Sequence, residues 1–196
     1  MSGEIRRATG RDADVVSEIL ADGFRRDPVM QWVFGAGVDT VLKPFFHFMV
    51  GEALIPLGAT YVSDSSCAVW TPPEKDPWSR ADVGERFLAA LDSVLQPDQL
   101  KRMLTLSQVV DEIHPQEAHW YLGMIASRTA AQGTGAGTRM LTHTLQLVDA
   151  AGVPAYLEST NPANIPFYLR HGFVAVREAW LPDGPVLTQM RRTAPR

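Results

Sequence analysis

The sequence predicts one α/β domain, about six to seven strands flanked by helices, on three observations. Short β-prone runs alternate with longer stretches of helical apolar spacing, and a cluster of glycines stands between one such strand and one such helix. No linker, internal repeat or low-complexity tract divides residues 1–196, so the whole chain reads as a single unit.

Composition narrows the function classes. With 45% hydrophobic and 20% charged residues the chain has the balance of an ordinary globular protein. A formal net charge of -4, with arginines only in scattered pairs, speaks against a nucleic-acid partner, which requires a basic face. The single cysteine, Cys67, rules out an intrachain disulfide and a thiolate zinc cluster, and the histidines lack metal-ligand spacing, so no metal is expected. The opening MSGEIRRATGRDAD is no secretory signal, and no apolar run approaches the ~20 residues that span a bilayer. A cytoplasmic setting without a membrane partner is therefore expected, as a monomer or homodimer.

Residues 3–8 open as a short strand. Between 11 and 26, Val15, Ile19, Leu20 and Phe24 recur at helical spacing, with Thr9 or Asp12 as the N-cap. Asp27-Pro28 ends or bends that helix, because proline disfavours helical geometry in the residue before it. An aromatic-rich segment follows, interrupted by Gly35 and Gly37, and 42–54 reads as helix. Residues 59–63 and 67–71 flank the turn signal Asp64-Ser65-Ser66 and predict a hairpin. Pro72, Pro73 and Pro77 mark an irregular connection, after which 80–95 and 97–112 are rich in helix formers. Residues 119–127 form the next strand. A helix with Met140, Leu141, Leu145 and Val148 on one side follows the glycines and stops at Gly152. Strands at 154–159, 173–180 and 186–190, a short helix at 162–171 and a turn at Asp183-Gly184 complete the pattern.

The glycine run is Gln132-Gly133-Thr134-Gly135-Ala136-Gly137. Backbone without Cβ atoms turns sharply and admits a ligand closely, while the first amides of the following helix point outward unpaired. With the helix dipole they make a site for phosphate or pyrophosphate. The plainer alternative is a loop softened by glycine. Two other phosphate loops are excluded by residue type: a P-loop lysine is missing, and the third glycine of a dinucleotide fingerprint falls at Thr138.

Gln-Gly-x-Gly-x-Gly after a strand resembles the pyrophosphate-binding signature of the GCN5-related N-acetyltransferase (GNAT) superfamily. Further along the chain, the phrase from Asn161 through Asn164, Phe167 and Tyr168 to Gly172-Phe173 resembles its second signature. The likeness extends to the puromycin N-acetyltransferase-like branch through AVWTPPEK (68–75), HWYLGMIASRTAAQGTGAG (119–137), VPAYLESTNPANIPFYLRHGF (153–173) and LPDGP (181–185). The resemblance implies the GNAT fold, with two central strands splayed apart and acetyl-coenzyme A lying across the sheet within 119–190. Its pantetheine arm would pair with Ile125, Ala126 and Ser127, and its pyrophosphate would rest on Gln132, Gly133, Thr134, Gly135, Ala136, Gly137 and Thr138. Asn161 and Asn164 would bond the cofactor or cap the short helix. Three positions depart from the family pattern. Thr129 stands where proline is usual, Ser127 where a hydrophobic residue is, and Thr134 where a basic one is common.

Acetyl transfer from a thioester to an amine requires a neutral amine, donors for the developing oxyanion and a proton for the departing thiolate. Direct attack in a ternary complex needs no protein nucleophile, so Cys67 reads as packing. By resemblance Tyr168 is the general acid. Glu158, inside an apolar strand, is placed by the same resemblance as the group that accepts the amine's proton, with a strand-end salt bridge as the other reading. Phe24, Asp27, Trp32 and Trp70 are candidates for the acceptor end of the cleft or for core positions. The expected activity is acetylation of a primary amine on a small molecule. The alternatives are an N-terminal or lysine acetyltransferase and a coenzyme A-binding module without catalysis.

Overall fold

Thr9 and Asp12 open the first long helix as a pair. Asp12 Oδ2 accepts from the Thr9 backbone N–H at 2.8 Å and from its hydroxyl at 2.9 Å. Arg6, in the two-residue strand β1 (Arg6–Arg7), grips the same carboxylate at 2.9 and 2.6 Å. One 3-10 turn then leads into α1 (Ala13–Phe24). The computed structural model describes residues 3–194.

Asp27-Pro28 does more than bend α1: it starts a separate helix. The Asp27 carboxylate accepts from the N–H groups of Val29 and Met30 and caps α2 (Pro28–Phe34), whose first residue is the proline. Gly35, at φ +54°, turns the chain into α3 (Val38–Phe48), which loosens into a wide π-type turn at Met49–Leu54. The helix expected at 42–54 thus begins earlier and ends less regularly. Within Pro28–Leu57 an 18-residue window reaches a mean hydropathy of 1.2, so by length and composition alone the stretch could cross a membrane. Here Val29, Val33, Phe34, Leu42, Phe46 and Val50 are all buried in the core beneath the sheet.

The remaining elements follow the expected order. They are β2 (Thr60–Val62), β3 (Ser66–Thr71), α4 (Ala81–Val94), α5 (Pro97–Ile113), β4 (Trp120–Ser127), α6 (Ala136–Asp149), β5 (Ala155–Ser159), α7 (Ile165–Arg170), β6 (Val174–Trp180) and β7 (Val186–Arg192). They build one seven-stranded sheet in the order β1-β2-β3-β4-β5-β7-β6. Every neighbouring pair is antiparallel except β4 and β5.

Strand parity divides the core in two. On β3, Cys67 and Val69 face the cluster beneath α1, α2 and α3, while Ala68 and Trp70 face the cluster under α6. On β4 that parity is broken once. Val69 pairs with Met124 but Trp70 with Leu122, leaving Gly123 as an extra, bulged residue. Leu122 therefore packs under α6, whereas Met124 and Ala126 pack under α1.

The parallel pair β4–β5 has only two rungs, Trp120 with Ala155 and Tyr121 with Tyr156. Beyond them the strands diverge: Met124–Ser127 keeps its partner in β3, and Leu157–Ser159 keeps its partner in β7. The seam opens toward the C-terminal ends of both strands.

Candidate active site

A cleft of about 720 Å³ is lined by the end of β4, the glycine loop, the start of α6, the α1–α2 junction and α7. Its floor forms because Gly133 and Gly135 adopt left-handed backbone, at φ +76° and +83°, which only glycine takes without strain. Gly135 thereby becomes the residue before α6 and aims the helix's first N–H groups into the cleft. A Cβ on Gly137 would sit 3.5 Å from Ser127 Oγ and 3.8 Å from the Phe167 ring, so a side chain there would stand between the walls. Gln132 Nε2 reaches back to the Ser127 carbonyl at 3.4 Å. A cradle of bare backbone at a helix N-terminus fits an anion of pyrophosphate size.

Most of the residues singled out in the sequence meet here. Ile125, Ala126, Ser127, Gln132, Gly133 and Gly135 line the cleft, as do Ala136, Gly137, Thr138, Asn161, Asn164 and Tyr168. Thr134 does not. Its hydroxyl turns back to the Ala131 carbonyl, and its own carbonyl accepts from Arg139. Asn161 Oδ1 caps the turn at Ala163, leaving its amide N–H groups for a ligand.

Tyr168 reaches the deep end of the cleft from α7, packed against Phe167 and Phe173. Burial, with the Asp27 carboxylate nearby, pushes its phenol above the ordinary range, so it stays protonated and able to donate at any physiological pH.

Of the acceptor candidates, Asp27, Trp32 and Trp70 hold helix-turn or core places, the second of their two readings, and Glu158 is enclosed by its neighbours. Asp27 lines the cleft but is buried and fully engaged: besides its two capping bonds it accepts from Thr160 Oγ1 at 2.5 Å. Burial raises its pKa, and it anchors α2 rather than presenting a free charge to an amine. Trp32 lies outside the cleft lining because Met30, Val33 and Phe34 claim the core face of α2. Its indole lies under the β6–β7 turn, where a Cβ on Gly184 would fall 2.5 Å from Nε1. Trp70 is 1% exposed, on the central strand β3, edge-on to Trp120 at 6.4 Å. Glu158 lies beyond the cleft lining, its side chain 4% exposed, accepting from the Tyr121 hydroxyl at 2.7 Å. Phe24 does line the cleft.

Sequence reasoning missed several wall residues. Asp22 of α1 accepts from the Thr129 N–H at 2.6 Å and hydroxyl at 2.9 Å, which ties the glycine loop to the opposite wall. The signal was Thr129 itself: a proline there would have no N–H to give. Arg26 and Arg170 bring positive charge to the mouth. Cys67 is fully buried with its thiol pushed up to about 12, a packing residue as expected.

The acetyltransferase (GNAT) family matches residues 59–173. An uncharacterized N-acetyltransferase of Schizosaccharomyces pombe is 23% identical over 90% of this chain and 76% of its own. A histone acetyltransferase HPA2-related protein of Corynebacterium glutamicum superposes with a TM-score of 0.73 at 22% identity, covering 100% of this chain and 98% of its own. Arylalkylamine N-acetyltransferase 2 of Aedes aegypti gives 0.66 at 12% identity, over 98% and 99%. The mixed seven-stranded sheet is that of the GNAT fold. The family match takes in the hairpin, the glycine loop, the open seam and α7, more than half of the chain, and the chain belongs to the acetyltransferase (GNAT) family as an N-acetyltransferase.

Proposed function

We propose that this chain transfers an acetyl group from acetyl-coenzyme A to a primary amine of a small molecule, by direct attack in a ternary complex. One observation carries the reading: a single cleft beside the end of β4 holds both an anion cradle at the α6 N-terminus and a buried phenol. When bound, acetyl-coenzyme A supplies an activated acetyl group as a thioester. The α6 N-terminus and the amides around Gly133–Gly137 hold its pyrophosphate, and the unpaired edges of β4 and β5 take its extended arm. Tyr168, protonated, donates toward the departing sulfur. Glu158, held by Tyr121, takes the proton of the attacking amine.

Two things support a small acceptor. Phe24 and Phe167 give the cleft aromatic walls, which suit a small apolar or aromatic amine. The Aedes aegypti protein that shares the fold is named for an arylalkylamine, and another structural relative, with a TM-score of 0.68, for agmatine. The motifs shared with the puromycin N-acetyltransferase-like branch place puromycin on the list of acceptors to try.

Isothermal titration tests the cofactor half. Acetyl-coenzyme A should bind with micromolar affinity, on the order of -8 kcal/mol. Gly135→Asp should weaken it more than tenfold, while Gly135→Asn, which shares the backbone demand without the charge, should weaken it less. Equal affinities for wild type and Gly135→Asp would place the pyrophosphate elsewhere. Free-thiol release across a panel of alkylamines, arylamines, puromycin and lysine peptides tests the acceptor half; turnover of peptides alone sinks the small-molecule reading.

A further inference from the structure

On the other side of the seam from α6, a set of polar side chains gathers that the cleft does not include. Glu158 and Gln189 are cross-strand partners on β5 and β7, and Tyr156 shares their face. Tyr121 joins them across the last rung of β4–β5. The end of α5 lies over the group: the Ile113 carbonyl accepts from Gln189 Nε2 at 2.6 Å and from the Tyr156 hydroxyl at 3.5 Å. The next residue, His114, sets its ring 5.0 Å from that of Tyr121, 5.4 Å from that of Tyr156 and 4.8 Å from that of His119.

One oxygen of Glu158 accepts from Tyr121; the other, Oε1, is buried with no hydrogen-bond partner. An unpaired buried acceptor costs about 1–3 kcal/mol, so its retention needs an explanation. On that side His114 Nδ1 stands 3.9 Å from Oε1. The two differ sharply in access to water: 4% of the Glu158 side chain is exposed and 33% of the His114 side chain. Imidazole is also the side chain that most readily takes up and releases protons near neutral pH.

We infer that His114 is the proton exit of Glu158. The inference rests on the reading that Glu158 accepts the amine's proton. A carboxylate this enclosed must be emptied at every turnover. The ammonium passes a proton to Oε1, leaving a neutral amine and a carboxylic acid. The acid passes that proton to His114 Nδ1, restoring the carboxylate, and the imidazolium, which then carries an N–H on each ring nitrogen, releases one proton to water. A small rotation of the ring, or one bridging water, spans the gap. The neighbours do not offer the same path. Burial and Glu158 push the Tyr121 phenol up, so it stays a fixed donor. His119 donates Nδ1–H to the Glu117 carbonyl at 2.7 Å, and burial pushes its pKa down, keeping it neutral. Further out, Asp111 on α5 acts on Tyr121, Arg177 on β6 acts on Tyr156, and Glu117 pairs with Arg191 of β7 at 2.9 Å.

The test uses the full chain with saturating acetyl-coenzyme A and the best amine of the panel. His114→Ala and the bulkier His114→Gln should each lower kcat about 10–100-fold near pH 7, leave the KM for acetyl-coenzyme A unchanged and displace the pH–rate profile. Added imidazole should restore several-fold of the lost rate in His114→Ala. In a Glu158→Gln background His114→Ala should cost less than a further twofold, because two members of one relay fail together. A rate within twofold of wild type across the pH range in both His114 variants overturns the exit. So does a loss that imidazole leaves untouched and that multiplies with Glu158→Gln. A Glu158→Gln enzyme at full rate instead overturns the parent reading, and the exit with it.

Discussion

Tyr168 owes its position to local features: a proline early in α7, a left-handed Gly172 at φ +83° just past its end, and aromatic neighbours at 167 and 173. With its phenol raised by burial, removing the hydroxyl should act on chemistry alone. Tyr168→Phe is expected to lower kcat about 10–100-fold while the calorimetric affinity for acetyl-coenzyme A stays within twofold. Residues set by local sequence of this kind were readable in advance, as were the glycines. Those set by direction were not. Trp70 and Trp32 were singled out for their type, but strand parity and helix phase turn one into the core and the other under a turn. The group around Glu158 left no linear trace, because His114 follows α5 while Tyr121, Tyr156 and Gln189 come from β4, β5 and β7, and they meet only once the sheet is assembled.

Among the elements, α1 and β4 approach unusually closely. A Cβ on Gly23 would come within 2.8 Å of the Ala126 Cβ, and Ala126 is part of the cleft wall. Alanine would gain up to about 1 kcal/mol of helix propensity, but overpacking at such a contact costs about 1–3 kcal/mol. The clash should win. Gly23→Ala is expected to melt several degrees lower and to raise the KM for acetyl-coenzyme A, both measurable by thermal denaturation and initial rates. A higher melting temperature would show that α1 can slide away freely. The helical period of α1 was plain in the sequence, whereas the Gly23 contact was not, because its partner lies about a hundred residues away. The same holds for the Asp22–Thr129 tie, of which the sequence showed only an unexpected threonine.

At the scale of the whole molecule, the alternation of apolar periods foretold every strand of the sheet, while its order and the bulge at Gly123 needed the three-dimensional partners. The far edge of the sheet is tied to α1 through Asp12, whose carboxyl Arg6 holds well below the usual range. A folded value below the unfolded one, about 3.9, contributes stability that is complete above that value and disappears as pH falls toward the folded one. The melting temperature should therefore drop as pH is lowered below about 4, and Asp12→Asn should flatten that slope. Asp27 works in the opposite sense, since burial makes protonation easier in the folded chain.

The two-rung junction between β4 and β5 has a mechanical meaning. Where a continuous sheet resists twisting along its whole width, this one has a flexure near Trp120 and Tyr121, and thermal breathing should concentrate there. A molecule threaded between the two halves would act as a rivet. Amide exchange in residues 123–127 and 157–159 should slow on adding acetyl-coenzyme A, more than anywhere else in the sheet.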